Sequence, residues 1–272
     1  MNKVQYKRKI QVVIKNREWT NDKLDIDFNR PFTIYDEEPE LSEVIIYNLS
    51  PDSIKYIKKG MPLSLNAGYE GSMGNIIKGI IEGVETTRDE TDKETTIKVS
   101  DYGVKWREST LTKTYQAGSR ASFIIQDLIM FMGMTVGGID LKKDIRYPRG
   151  TSVKGDIKTS LKRIVKDTGS KMYINKGRVY VGLSNKNTNR MFVLQASSGL
   201  LRTPERVIEE ETKEGSDTPI EKTYWNVECL LHHELDKGHI VQIKSKSING
   251  RYRIVEGTHK GDFVTELKVE AV

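Results

Sequence analysis

The stretch LNAGYEGSMGNIIKGIIEGVE, residues 65–85, decides the fold class. It carries five glycines, three of them spaced Gly68-x-x-Gly71-x-x-Gly74. A phosphate cradle needs backbone N–H groups at a helix N-terminus. Its usual spellings, Gly-Lys-Ser/Thr after the loop or G-x-G-x-x-G between strand and helix, are absent. The residues that follow make a poor helix, since Gly79 and Gly83 would each cost about 1 kcal/mol in a helix interior. Ile76, Ile77, Ile80, Ile81 and Val84 favour a strand. Before the loop, Leu63, Leu65 and Ala67 alternate with Ser64 and Asn66. The stretch therefore predicts strand, glycine turn, strand.

Working outward, most of the chain has the same character. VQYKRKIQVVIK, PFTIYDEE, LSEVIIYNL and ETTIKVSDYG read as strands, with Pro31 marking a strand start or edge. Between them Ser50-Pro51 opens a short helix that ends near Gly60, with Ile54 and Ile57 on its inner face. TTRDETDKE reads as a solvated hairpin end. After residue 106 two amphipathic helices are predicted. One has Ser119 as its cap, Phe123, Ile124, Leu128 and Phe131 as its stripe, and Gly133 as its stop. The other has Asp156 as its cap, Ile157, Leu161, Ile164 and Val165 as its stripe, and Gly169 as its stop. A hairpin follows, with Met172–Ile174 and Val179–Val181 flanking an Asn-Lys-Gly turn. The last third returns to strands, with a polar loop at 214–222. Asn249-Gly250 is the strongest two-residue turn signal in the chain and predicts a type I′ hairpin.

An internal echo runs through this pattern. Residues 62–101 and 240–271 each read strand, glycine turn, strand with a central glycine, charged loop, and a strand spelled T-x-φ-K-V (φ being an apolar residue). The two copies of that spelling are Thr95–Val99 and Thr265–Val269.

The composition narrows the classes. The 272 residues suffice for two or three domains, and no apolar run approaches the length of a membrane span. The basic N-terminus lacks the apolar core of a secretory signal. A single cysteine, Cys229, leaves no internal disulfide framework and no Cys-rich zinc site. The net charge of +6 comes from 44 basic residues dispersed among 38 acidic ones, whereas a nucleic-acid binder usually concentrates its charge.

No catalytic constellation emerges. His232, His233, His239 and His259 lack metal-site spacing. Cys229 and His232 lie one helical turn apart, and a small buried cysteine is the plain alternative to a metal pair. There is no G-x-S-x-G. The carboxylates Asp36, Glu37, Glu38 and Glu40 read as a solvated loop. Trp19, Trp106 and Trp225 read as core anchors. The expectation is a protein without catalysis, cofactor or bound metal.

One resemblance spans nearly the whole chain. Asn48-Leu49-Ser50, a short helix, Gly60, then Ala67-Gly68-Tyr69 with Gly71 and a strand over Ile77–Ile81 resemble the opening domain of phage baseplate hub proteins. The middle, from AGSRASFIIQDLI to SLKRIVKDTGSKMYINKGRVYVG, is similar to that family's inserted α/β region. SSGLLRTPERV, YWNVECLLHHELDKGHIVQIKS and NGRYRIVEGTHKGDF resemble its end.

The resemblance implies a mainly β protein built from two tail-tube-like antiparallel β-barrel or sandwich domains, residues 1–106 and 191–272. An inserted α/β domain, 107–190, lies between them. It implies a structural role in a contractile phage tail or phage-tail-like, bacteriocin-like particle: a homotrimer forming a hub ring between a six-fold tail tube and a three-fold central spike. The tail tube and spike proteins are its implied partners, with baseplate wedge and tape-measure proteins as further ones, and DNA only as passing cargo. The chain would assemble in the bacterial cytoplasm and reside in the baseplate of the particle, without membrane insertion. Some family members carry a cell-wall hydrolase; with this chain ending at Val272, that activity is expected elsewhere. A tail-tip hydrolase and a nucleic-acid-binding β protein are the alternatives. The implied interface residues are the hairpin ends AGYEGSMGN and EGTHKGDF, with Gly68, Tyr69, Gly71, Gly74, His259, Gly261 and Asp262.

Overall fold

The computed structural model describes residues 6–89, 91–101, 103–183, 191–212 and 219–272. Tyr102, Glu90 in the TTRDETDKE loop, most of the polar loop at 214–222 and the first five residues lie outside them.

The first region holds β1 (Arg8–Ile14), β2 (Arg17–Thr20), β3 (Ile26–Thr33), β4 (Leu41–Tyr47), α1 (Pro51–Tyr56), β5 (Pro62–Tyr69), β6 (Ser72–Asp89) and β7 (Asp92–Ser100). The opening stretch is thus a hairpin, β5 and β6, and Gly71 supplies the positive φ of its turn at 78°. In α1, Ser50 accepts the Ser53 N–H and Pro51 opens the helix.

The middle region holds α2 (Gly103–Glu108), β8 (Thr110–Tyr115), β9 (Ser119–Arg120), α3 (Ala121–Phe131), β10 (Thr135–Ile139), β11 (Arg146–Tyr147), β12 (Thr151–Asp156), α4 (Ile157–Asp167), β13 (Met172–Asn175) and β14 (Arg178–Val181). The last region holds β15 (Phe192–Leu194), β16 (Glu205–Thr212), β17 (Pro219–Leu230), β18 (Ile240–Lys244), β19 (Asn249–Lys260) and β20 (Val264–Ala271). The architecture is mainly antiparallel β with an α/β middle.

Thirteen strands of the first and last regions form one sheet system. Within it the order β3-β4-β7-β6-β5 recurs as β16-β17-β20-β19-β18, with every neighbour antiparallel in both. The recurrence extends to irregularities. A bulge interrupts β6 between Ile81 and Gly83, opposite Val99 and Lys98. Another interrupts β19 between Ile254 and Glu256, opposite Val269 and Lys268. Gly60 and Gly238 both have positive φ, 85° and 78°. Gly60 N–H donates to Ile81 O at 2.8 Å and Ile81 N–H to Met61 O at 2.9 Å. Gly238 N–H donates to Ile254 O at 2.8 Å and Ile254 N–H to His239 O at 2.9 Å. A bulge re-aims a strand at a defined place, so matched bulges in matched strands mark two copies of one supersecondary unit. The T-x-φ-K-V echo lies on β7 and β20, the equivalent strands. Outside the five shared strands the copies differ: β5 continues to β1 antiparallel, whereas β18 pairs with β15 in parallel.

The buried apolar side chains gather accordingly. One core draws on residues 10–99 and adds Leu231 and Phe263. A second lies wholly within 106–181. A third draws on 194–269 and adds Phe32. A small fourth, of Ile34, Tyr173, Tyr224 and Val255, forms where the three regions meet.

Several local expectations need correction. Asn249 and Gly250 are strand residues at the start of β19, neither with positive φ; the β18–β19 turn is Ser245–Ile248, closed by Ser245 N–H to Ile248 O. The positive-φ pair of a type I′ turn is instead Lys176-Gly177, at 48° and 76°, between β13 and β14. Ser119 belongs to β9, and Arg120 precedes α3 without a side-chain cap. The buried face of α3 is Ala121, Ile124, Ile125, Leu128 and Ile129, leaving Phe123 and Phe131 exposed. Pro31 sits inside β3, where pairing with β4 has already ended at Asn29 and only β19 is paired. Its missing N–H therefore costs no ladder bond. The second helix matches its reading: Asp156 accepts from Lys158 N and Thr159 N, and the four stripe residues are buried.

Candidate functional site

The two repeated units meet where β3 of the first pairs with β19 of the second, from Thr33 opposite Glu256 to Asn29 opposite Lys260. Charged side chains are buried along this seam. Arg30 on β3 is 1% exposed, and its guanidinium donates to Asp236 Oδ1 at 3.1 Å and to Asn175 Oδ1 at 2.9 Å. Lys176 Nζ lies 3.1 Å from Asp236 Oδ2, and its backbone N–H donates to Asp101 Oδ2 at 2.7 Å. One cluster thus ties together β3, the end of β7, the β13–β14 turn and the loop before β18, so all three regions of the chain contribute to it.

A buried charge persists only when paired and hydrogen-bonded. Burial alone would raise the Asp236 carboxyl, but Arg30 and then Lys176 hold it well below the usual carboxylate range. Burial lowers Lys176. His259, opposite Arg30, is fully buried and meets the Phe32 ring at a tilt of 43°, with 5.0 Å between ring centres. Burial, then the Arg30 charge, pushes its imidazole down to about 3, so it is neutral. Leu235 O can only accept, which places the proton on Nε2; Nδ1 then accepts from the Thr265 hydroxyl, each contact being 2.9 Å.

The acidic run read as a solvated loop does different work. Glu38 accepts from Trp106 Nε1 at 3.0 Å and from Lys162 Nζ at 2.9 Å, and Lys158 Nζ lies 2.6 Å away. Glu37 reaches Lys162 at 3.2 Å. These contacts fasten the chain after β3 to α4 of the middle region. Glu40 turns inward: Thr33 N–H donates to its Oε1 at 2.5 Å, and the buried Lys237 ammonium lies 2.6 Å from the same oxygen. At Thr33 the carboxylate takes the place that a β4 carbonyl would fill.

Some of the implied interface residues make contacts within the chain, between the first and last regions. Tyr69 is buried and meets the Phe263 ring edge-on at 5.5 Å. A Cβ on Gly74 would run into the His233 ring, and one on Gly261 into Asp27 and Phe28. Gly261 N–H donates to Phe28 O at 2.8 Å, and Asp262 Oδ1 accepts from Val264 N–H at 3.0 Å. Gly68 lies beside the Ser72 backbone, and Gly71 faces open space. Tyr69, Gly74 and Gly261 thus lie where the first and last regions meet, whereas Gly71 does not. The burial of Arg30, Glu40, Asp236 and Lys237 is not legible in the sequence, because a charged residue in an alternating strand or a charged loop spells surface; only the pairing of remote segments buries them.

Cys229 is fully buried, its thiol pushed up to about 12 by burial and then by Glu228. Among the described residues no group of three or more His, Cys, Asp or Glu is placed to hold a metal ion. No described helix is long and apolar enough to cross a membrane.

No protein-family model matches the chain, and no curated protein matches it. Solved structures do. A tail protein from Neisseria meningitidis MC58 superposes with a TM-score of 0.69 at 9% identity, over 97% of this chain and 96% of that one. The 43 kDa tail protein of prophage MuSo2 from Shewanella oneidensis gives 0.69 at 8% identity, over 97% and 98%. The c3393 protein of E. coli, a type VI secretion system component described as similar to the T4 bacteriophage tail proteins gp27 and gp5, gives 0.60 at 10% identity, over 96% and 76%. The chain has the fold of these phage tail proteins.

Proposed function

We propose that this chain is a structural, non-catalytic subunit of a phage tail or phage-tail-like particle. In this reading it forms the hub of the baseplate, a ring of three chains joining a six-fold tail tube to a three-fold central spike. Residues 1–106 and 191–272 are the two tube-facing β domains, and 107–190 is the α/β domain between them. The carrying observation is the duplicated five-strand unit with its matched bulges and matched glycines. Three chains with two like units each offer six similar surfaces to a six-fold tube and three repeats to a three-fold spike. The hairpin ends around Gly71 and Asp262 would then lie near neighbouring chains or partners.

The test is the structure of the assembled particle, reconstructed from cells that produce this chain. A three-fold ring at the end of a tube, with both β units at equivalent radius, is the expected result. A ring of six chains overturns the proposal. So does lysis of cell walls by the purified chain in a zymogram.

A further inference from the structure

Glu40 and Lys237 come from the first and last regions and meet in a place closed to water. Glu40 ends the connection from β3 to β4, and Lys237 stands in the loop before β18. The lysine side chain is fully buried and that of the glutamate is 9% exposed. Their contact is short, 2.6 Å from Lys237 Nζ to Glu40 Oε1, yet it lacks hydrogen-bond geometry: Nζ has no acceptor among the described residues. The two carboxyl oxygens are unequal. Oε1 accepts from Thr33 N–H at 2.5 Å, while Oε2 is buried without a donor. A buried ion pair is sound when its remaining donors and acceptors are satisfied. This one leaves the three hydrogens of the ammonium and one carboxylate oxygen without partners.

We propose that Glu40 and Lys237 condense to an intramolecular isopeptide bond that joins the first and last regions of the chain. The Nζ lone pair forms the new bond to Glu40 Cδ. The bond from Cδ to Oε2 breaks, and its electron pair stays on Oε2. Two of the three ammonium protons end on Oε2, which leaves as water, and the third remains as the amide N–H. No oxidant, reductant or co-reactant is consumed.

The site supplies what this step needs. A carboxyl C–O bond of about 1.2 Å leaves Nζ no farther than about 3.8 Å from Cδ, near the roughly 3–3.5 Å from which bonds form. Thr33 N–H already donates to the oxygen on which negative charge grows as Nζ attacks, the place of an oxyanion donor. Burial favours an uncharged amine and acid over separate ions, and it lifts the Glu40 carboxyl to about 7 against the charges of Lys237 and Arg30. The product also fits the pocket better than the reactants. The amide keeps the Thr33 bond on its one oxygen and sheds the orphaned Oε2. It carries one N–H in place of three, beside the Tyr173 ring, whose centre is 5.9 Å from Nζ. The folded chain before condensation is the state in which Glu40 titrates. The bond does not depend on the proposed ring or on its number of chains.

Mass spectrometry of the full chain reads the bond directly. The purified chain is held folded at neutral pH and denatured only for measurement. Its intact mass should fall below that of the sequence by one water. Trypsin should release a branched peptide in which residues 24–55 are joined to 223–244, with no cleavage after Lys237. Lys237→Met, which removes the amine, should keep the full mass and release 24–55 as a free peptide. Should that variant not fold, the branched peptide of the parent chain decides alone, its presence for the bond and its absence against it. A full intact mass in the folded parent after prolonged incubation overturns the proposal. So does a water loss that maps outside these two peptides, or one that Lys237→Met retains.

Discussion

Lys237 Nζ lies 2.6 Å from Glu40 Oε1 in a place where both side chains are shielded from water, and Glu40 Oε2 has no hydrogen-bond donor among the described residues. The contact is thus short but leaves the carboxyl group incompletely hydrogen-bonded. Burial lifts the Glu40 carboxyl to about 7, against the opposing charges of Lys237 and Arg30. From its ordinary value of 4.5 up to about 7 the folded chain keeps a proton on Glu40 that the unfolded chain has released. A raised carboxyl contributes stability that is present at low pH and lost as pH rises through the folded value. Glu40 should therefore remove stability between about pH 5 and 8, by at most about 2–3 kcal/mol. Urea unfolding at the two pH values should show this fall in the parent chain and a smaller fall in Glu40→Gln. An identical pH dependence in both chains would count against a neutral Glu40.

Arg30 and Asp236 should behave as a buried pair whose partners depend on each other. Arg30→Ala leaves Asp236 short of its main counter-charge and is expected to cost about 3–5 kcal/mol. Arg30→Met with Asp236→Leu, which removes both charges, should recover part of that loss. Chemical denaturation of the single and double variants measures the coupling. If their losses simply add, the two groups do not act as a pair.

The β character of the chain was legible because glycine and β-branched residues fall at strand spacing around residues 65–85. The α4 helix was legible for a similar local reason, since its cap, stripe and stop lie within fifteen residues. The α3 stripe was misread because that helix is apolar on nearly every side, with Phe123, Met130 and Phe131 exposed, so spacing alone could not select the inner face. The seam was illegible for a non-local reason. Arg30 and Asp236 are 206 positions apart, and nothing near either announces the other. The duplication lay between these cases: its T-x-φ-K-V spelling was visible, but the matched bulges and glycine bonds depend on strand pairing.

Gly60 and Gly238 offer a direct comparison between the two copies of the repeat. Both have positive φ, which an L side chain adopts at a cost of about 1–2 kcal/mol. A Cβ on Gly60 meets nothing within 4 Å, so Gly60→Ala should cost that strain alone. A Cβ on Gly238 would meet the Tyr173 hydroxyl and press on the small core shared by the three regions. Gly238→Ala should therefore be the more destabilising by about 1–2 kcal/mol. Equal unfolding midpoints would mean that Tyr173 moves aside freely.

The last expectation separates turn chemistry from turn spelling. Lys176-Gly177 and Asn249-Gly250 both end in glycine, yet only the first pair occupies the positive-φ region. Gly177 links β13 and β14, whose four residue pairs run without irregularity from Asn175 opposite Arg178. A β-branched residue at its φ of 76° is strained and splays the hairpin. Gly177→Val should destabilise the chain by about 1–3 kcal/mol. Gly250 sits in β19 opposite Ile243 with ordinary strand geometry, and a Cβ there would touch the Tyr252 ring at 3.5 Å, a normal contact. A strand interior gains from replacing glycine, because the unfolded chain loses freedom and the strand gains a side chain to pack. Gly250→Val should therefore leave stability within about 0.5 kcal/mol of the parent or raise it. Thermal unfolding of the two variants side by side is the measurement. A large loss at Gly250 with little at Gly177 would move the type I′ turn back to Asn249-Gly250 and shift the β18–β19 register with it.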